Sequence, residues 1–261
     1  MQELLGSGAA VRAFDISEKA WDGWAAIDGP PPAAAELCCG DIVDFETVRA
    51  AIRGCDAVVH TTVATTGNAP TSSRNLYLAS AEEDATWLVN MKGLFNVLQA
   101  SHLEGVRQVV HIGSCHSVWP GSVGQGDVKG VRFMDAETRR PDGGLYATQK
   151  RLQEEMCRQF HDAHALPVAV FRPDYIIDSR LGIGRHREDL RGTSPINPSW
   201  VCRHDIAQAC RLAIEKEIGF EILHVVDSFH GQATTCNIGR TEQLLGMRFA
   251  SAIAPLPASK I

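Results

Sequence analysis

The chain has 261 residues, 44% of them apolar and 21% charged, enough to bury a large core as one domain or as a domain with a small appended lobe. Its formal charge of −6 and the lack of a long Lys/Arg run exclude a phosphate-matching basic face, so small molecules rather than nucleic acid are the expected partners. No apolar run approaches the ~20 residues of a membrane span, and MQELLGSGAA lacks the basic segment and apolar core of a secretion signal; no membrane association and a cytoplasmic protein are expected.

In chain order, MQELLGSGAA reads as the end of a helix that runs straight into a strand, AVRAFD (10–15). GPPPAAA (29–35) is a turn or spacer. DFETVRAAIRG (44–54) is a helix with Asp44 as N-cap and Gly54 as its stop, and DAVVHTTV (56–63) is a strand. A helical pattern covers 84–101, followed by the strand RQVVHIGS (107–114). A further helix starts near Tyr146, then come the strand LPVAVFRP (166–173), a helix over 204–219 and the strand FEILHVVD (220–227). The strands are almost continuously apolar, as a sheet covered on both faces requires, and the alternation predicts an α/β fold with a doubly wound parallel sheet. The long connections at 64–80 and 116–144 are candidate substrate or lid segments.

Eight scattered cysteines show no CxxC and no paired Cys/His spacing, so they read as free buried thiols in a reducing compartment, with no metal site. In the helix after the second long connection, LYATQK (145–150) places Tyr146 and Lys150 at i and i+4 on one face, while Leu152, Met156 and Phe160 form the apolar stripe and Lys150, Arg151, Glu154 and Arg158 the polar one. A tyrosine with a reference pKa near 10 acts as a base at neutral pH only where a cation favours its phenolate, and a lysine one turn away is such a cation. Alone, this spacing is a weak signal.

Its context is specific. DIVD (41–44), DAVVH (56–60), NMKGLFNVLQA (90–100), RQVVHIGS, the Tyr/Lys helix and HALPVAVFRP (164–173) occur in an order that resembles the extended short-chain dehydrogenase/reductase family, the NAD-dependent epimerase/dehydratase group, over residues 4–249. The resemblance implies a Rossmann-like single domain, 1–261, with substrate-lobe elements mainly from 174–200 and 228–261. It implies NAD as cofactor, Tyr146 as proton donor and acceptor, and Lys150 lowering the tyrosine pKa and holding the nicotinamide ribose. Asp15 would accept from the adenosine ribose hydroxyls, Asp41 and Ile42 would flank the adenine, Thr61 and Thr62 would line the cofactor, and Asn90 would support the active site. Read without the family, Asp15 could start a turn and Asn90 could be a buried, satisfied polar side chain.

Two departures stand out. Where the family has Ser-Ser-x-x-Val-Tyr-Gly, this chain has SCHSVWP, with Cys115 at the usual catalytic serine and Ser114 one place before it. A thiol is a poorer donor than a hydroxyl, so either Ser114 substitutes or substrate polarisation is weak. The first strand and glycine-rich turn of a dinucleotide site are also missing, because GSGAAV precedes a strand instead of following one. An N-terminal truncation is the expected cause.

The short sequence after Gly219, together with RRPDGGLYATQK and SWVCRHDIAQACRLAIE, resembles the compact uronate and aldose dehydrogenases of the family. His116 and Ser117 replace the Asp-Glu pair of its dehydratases, which disfavours dehydration. Arg180, Arg185, Arg187 and Arg191, beside Glu188 and Asp189, are either a self-paired surface or an anion clamp for a substrate carboxylate or phosphate. The expected protein is an NAD-dependent oxidoreductase of a sugar or related small alcohol, with a sugar epimerase or a non-catalytic ligand-binding relative as alternatives. The family also implies a homodimer through the helices at 84 and 146.

Overall fold

In the computed structural model, the described residues are 1–19, 29, 32–64, 81–117, 144–185, 187–191, 200–227 and 236–252. Both long connections and part of the expected substrate lobe lie outside them. After a short helix α1 (Gln2–Gly6), strand β1 (Val11–Asp15) pairs in parallel with β2 (Ala35–Cys39), from Val11 opposite Ala35 to Asp15 opposite Cys39. The sequence reading had no strand at β2. AELCC carries no apolar alternation, and Glu36, Leu37 and Cys39 are exposed, so only the ladder to β1 makes it a strand.

Helix α2 (Phe45–Ile52) begins as expected. Asp44 has an extended backbone, and its carboxylate accepts from the amides of Glu46 and Thr47, two of the donors a helix start leaves unpaired. Gly54 ends the segment at φ +76°, a conformation that favours glycine. Strand β3 (Ala57–His60) follows. The expected helix at 84–101 consists of α3 (Ala81–Trp87), a π turn (Leu88–Lys92) and α4 (Gly93–Leu103). Gly93 lets α4 sit hard against the chain after β2, since a Cβ there would lie 2.9 Å from Ile42 Cγ2.

Strand β4 (Gln108–Ile112), helix α5 (Leu145–His164), β5 (Val168–Arg172), the short pair β6 (Ile176–Ile177) and β7 (Val201–Cys202), helix α6 (Arg203–Lys216), β8 (Glu221–His224) and α7 (Gly239–Leu245) complete the fold. β3, β4, β5 and β8 form one parallel sheet in that order. Among the described residues no ladder joins β1 to β3, so the parallel strands of the nucleotide fold stand in two pieces.

Alternation along the strands divides the core. Val109, Val168 and Val170 pack with Ile42, Val48, Leu94, Leu98 and Phe160 on the α2/α4/α5 face. Val110, Ala169 and Phe171 pack with Ile206, Ala209, Leu245 and Phe249 on the α6/α7 face. This is the doubly wound, Rossmann-like arrangement expected from the continuous apolar strands. No helix among the described residues is long and apolar enough to cross a membrane.

Candidate active site

Parallel strands bring their carboxyl ends to one edge of the sheet, and the residues that leave β3, β4 and β5 there meet the start of α5. Tyr146 stands in the first turn of α5, and its side chain shares a hydrogen bond with Ser114, two residues beyond β4. Lys150, one turn on, is only 4% exposed; its Nζ donates to the Ile112 carbonyl at 3.0 Å and lies 5.8 Å from the centre of the Tyr146 ring. The structure brings Tyr146, Lys150 and Ser114, three of the expected site residues, together at this edge.

Burial raises the Tyr146 pKa, opposed by the Ser114 hydrogen bond and the positive charge of Arg185. Lys150 is lowered to about 8, chiefly by burial. The expected lowering of the tyrosine by Lys150 is thus not the governing effect here: desolvation prevails, and Arg185 is the cation acting on the phenol.

Ser114 and Cys115 face different partners. The Cys115 thiol is fully buried, donates to the Arg172 carbonyl at 3.2 Å and lies 3.7 Å from His224 Nδ1. Ser114 thus occupies the position beside the tyrosine that the family alignment gave to residue 115. Ser117 ties down the turn between them, donating to the Ser114 carbonyl at 2.8 Å or to Glu154 Oε1 at 2.6 Å.

Glu154, one of the polar positions read along this helix, carries a role the sequence did not assign. It is buried two turns below Tyr146 and accepts from Arg172 twice, from Nε at 2.6 Å and Nη2 at 2.7 Å, while Arg151 reaches it at 3.1 Å. The fork-on-carboxylate geometry locks β5 to α5 behind the site. The signal available in sequence was Arg172 at the end of an otherwise apolar strand: so placed, an arginine requires a buried acid.

Asn90 lies in the π turn, a helix form often found at functional positions. Its side chain accepts from the Ala64 amide at 2.8 Å and donates to the Ala64 carbonyl and Gln149 Oε1, both at 2.9 Å, and its carbonyl accepts from Gln153 Nε2 at 2.7 Å. It clamps the chain leaving β3 to α5 as a buried polar side chain with its hydrogen bonds satisfied.

Beneath Lys150, the rings of His60 and His111, opposite each other on β3 and β4, approach to 2.9 Å between Nδ1 atoms. One Nδ1 must donate and the other accept, and neither Nε2 has a partner among the described residues. Burial, reinforced by Lys150, lowers His60 to about 3; burial, His60 and Lys150 lower His111. Both rings are neutral at physiological pH, and neither was foreseen as a pair.

The expected adenosine residues lie at the other end. Asp15 closes β1 and accepts from the Ile16 amide at 2.7 Å. Asp41 is exposed and accepts from the Val43 amide at 2.9 Å. The Ile42 side chain is in the core against Gly93, and its carbonyl accepts from Asn96 Nδ2 at 2.9 Å. Thr61 is exposed and Thr62 half-buried just beyond β3.

Of the four arginines in 180–191, Arg191 is paired with Asp189, and Arg185 stacks 5.2 Å from the Tyr175 ring while its charge acts on Tyr146. The Tyr175 hydroxyl is bonded to Glu188. The His116 side chain lies outside the described residues.

Residues 2–180 match the NAD dependent epimerase/dehydratase family. No curated protein matches the chain. Among solved structures, uronate dehydrogenase from Agrobacterium tumefaciens is 18% identical with a TM-score of 0.67, covering 100% of this chain and 86% of that one. Glucuronic acid dehydrogenase from Chromohalobacter salexigens is 18% identical with a TM-score of 0.64, covering 99% and 81%. UDP-glucuronic acid 4-epimerase from Bacillus cereus, solved with NAD, is 13% identical with a TM-score of 0.65, covering 98% and 89%.

Proposed function

We propose, from the premise that the chain belongs to the NAD dependent epimerase/dehydratase family, that it is an NAD-dependent oxidoreductase of a sugar or related small alcohol, with Tyr146 as acid/base and Lys150 as its cationic partner. The observation that carries this reading is the Tyr146 side chain bonded to Ser114 with a buried ammonium one helical turn away.

The residues present suit NAD. Lys150 has three N–H donors but a single hydrogen-bond acceptor among the described residues, the Ile112 carbonyl, which leaves donors for ribose hydroxyls. Asp15 offers a carboxylate at a strand end, where it accepts from ribose hydroxyls and repels a 2′-phosphate. Gly40 lets the chain after β2 pass closely over α2, since a Cβ there would lie 2.2 Å from Thr47 Cγ2. When bound, NAD supplies the hydride acceptor.

The chain's own groups manage the proton. Ser114 orients the substrate hydroxyl beside the Tyr146 oxygen, and the tyrosine, as phenolate, takes its proton. Arg185 and the Ser114 hydrogen bond favour that phenolate against the desolvation that opposes it. The positive charge of Arg185 acts on Tyr146, and a guanidinium in that neighbourhood suits a substrate carboxylate; a free uronate is therefore the first candidate. Segments 174–200 and 228–261 of the single domain would receive the rest of the substrate. A homodimer would assemble through the helices around residues 84 and 146, where Trp87, Leu88, Phe95 and Leu152 are exposed apolar side chains.

The test is to mix the full chain with excess NAD and a panel of free uronates and aldoses. NADH formed in proportion to sugar consumed is the expected result. Stereoisomer exchange without net NADH would make the chain an epimerase, the second reading that the family description supports, and tight sugar binding with no turnover would make it a binding protein.

A further inference from the structure

Folding gathers three soft donors that the linear spacing keeps far apart. Cys115 opens the turn after β4, His224 closes β8 and Cys236 precedes α7. One ligand atom from each, two sulfurs and a ring nitrogen, lie within 4.8 Å of one another, and all three side chains are buried. The edge from Cys115 Sγ to His224 Nδ1 measures 3.7 Å. Ligand atoms held at zinc–sulfur and zinc–nitrogen bond lengths around one ion are separated by about 3.5 to 3.8 Å. That edge already has the length a bound ion would impose.

Val226 and Ile238 pack on the two cysteines, and the charges of Asp174 and Arg172, opposite in sign, both act on Cys115. A divalent ion with two thiolates and a neutral imidazole has zero net charge, so burying the filled site carries no uncompensated charge into the core. Deprotonation also leaves no orphan, because the Arg172 carbonyl that now accepts from the Cys115 thiol accepts from the Val225 amide as well, at 3.1 Å.

We propose that Cys115, His224 and Cys236 form a buried three-ligand site for a soft divalent cation of the zinc class. Each ion taken up displaces two thiol protons to solvent, binds His224 through Nδ1 and involves no change of oxidation state. The site lies beside the Tyr146–Ser114 pair without including it. Its ion pins the backbone next to Ser114, which gives residue 115 a reason to be cysteine while Ser114 faces the tyrosine.

The test reads metal, not turnover. The reduced full chain is incubated with excess zinc, desalted and analysed for zinc per chain; cobalt is used in parallel for its thiolate charge-transfer absorption. One ion per chain and a charge-transfer band are expected. His224→Ala and Cys236→Ala should each weaken binding by at least about tenfold, while Cys157→Ala, a buried thiol elsewhere, should bind like wild type. A folded wild-type chain that takes up no ion overturns the proposal, and this titration decides even if a variant fails to fold. Undiminished binding in Cys236→Ala overturns it too, as does a Cys115–Cys236 disulfide, two hydrogens lighter by mass, in the freshly isolated chain.

Discussion

The two ends of the nucleotide fold are built differently. Around Tyr146 the supporting side chains have buried partners: Lys150 on the Ile112 carbonyl, Asn90 on Ala64 and Gln149, Glu154 on Arg172. Around Asp15 the same kinds of groups lie on a two-stranded ladder, where among the described residues the Asp15 and Asp41 side chains accept from amides of their own turns and Leu37 and Ile16 are exposed. The first end is ordered before any ligand arrives, because its geometry is over-determined by packing. The second can gain much of its order from the ligand. Damage at the Tyr146 end should therefore appear in folding and in turnover, and damage at the Asp15 end chiefly in affinity.

The largest effect expected at the ordered end is on stability against acid. His60 is lowered to about 3 from 6.5, and His111 is lowered with it. The unfolded chain therefore binds more protons than the folded one throughout that interval, and stability falls as pH drops from 6.5 toward 3. At somewhat over 1 kcal/mol for each pH unit of displacement, the loss is several kcal/mol. Asp227 acts in the opposite direction: burial raises it to about 7 from 3.8, so the stability it contributes is full below 3.8 and is lost as pH rises through 7. Urea unfolding across pH 4 to 7 should show a much flatter acid limb in the His60→Phe/His111→Phe double variant than in wild type, the Asp227 contribution being common to both. Equal slopes would mean that the pair does not titrate on unfolding.

Next comes the buried ion pair. Arg172→Met leaves the Glu154 carboxylate buried with its fork removed, and should cost about 3 to 5 kcal/mol. Glu36→Gln at the Asp15 end removes the charge from the exposed partner of Arg12 and should cost about 1 kcal/mol or less. Denaturation midpoints of the two variants compare the regions directly. Similar losses would erase the distinction.

These same residues show how far the sequence could be read. The strands β1, β3, β4, β5 and β8, the Asp44 cap and the Tyr146–Lys150–Ser114 grouping were legible because each rests on local pattern or on motifs in a fixed order. β2 was not, since AELCC becomes a strand only by pairing with β1. Glu154 was not either: helical periodicity marks it as polar, and only its pairing with Arg172 on β5 shows that this face of α5 is buried. The π turn at Leu88–Lys92 was not foreseen either. Cys115, His224 and Cys236 meet only through the order β4-β5-β8.

Turnover should fall with Tyr146→Phe, which removes the proton path while leaving the ring packed; a loss on the order of 10²-fold in kcat, with the unfolding midpoint nearly unchanged, is expected. Ser114→Ala should act in the same direction and less strongly, because it removes the hydroxyl that orients the substrate and bonds Tyr146. Full activity in Tyr146→Phe, measured on protein that still binds NAD, would remove Tyr146 from the mechanism.

The smallest effect is predicted at Asp15. Its carboxylate ends β1 and is held only by the Ile16 amide, so Asp15→Asn keeps the shape, keeps an acceptor for that turn and removes the charge. A hydrogen bond to a charged acceptor is worth about 1.5 to 3 kcal/mol and a neutral one about 0.5 to 1.5. The difference corresponds to NAD binding weaker by about five- to tenfold, with kcat at saturating NAD unchanged. NADP should gain in relative terms, because the carboxylate that repels a 2′-phosphate is gone. Calorimetry with both cofactors separates the two consequences. If NAD and NADP affinities move together or not at all, Asp15 is a turn residue and the adenosine end must be held elsewhere; if kcat falls as well, the two ends are coupled, and the contrast between a preorganised chemical half and a ligand-ordered binding half does not hold.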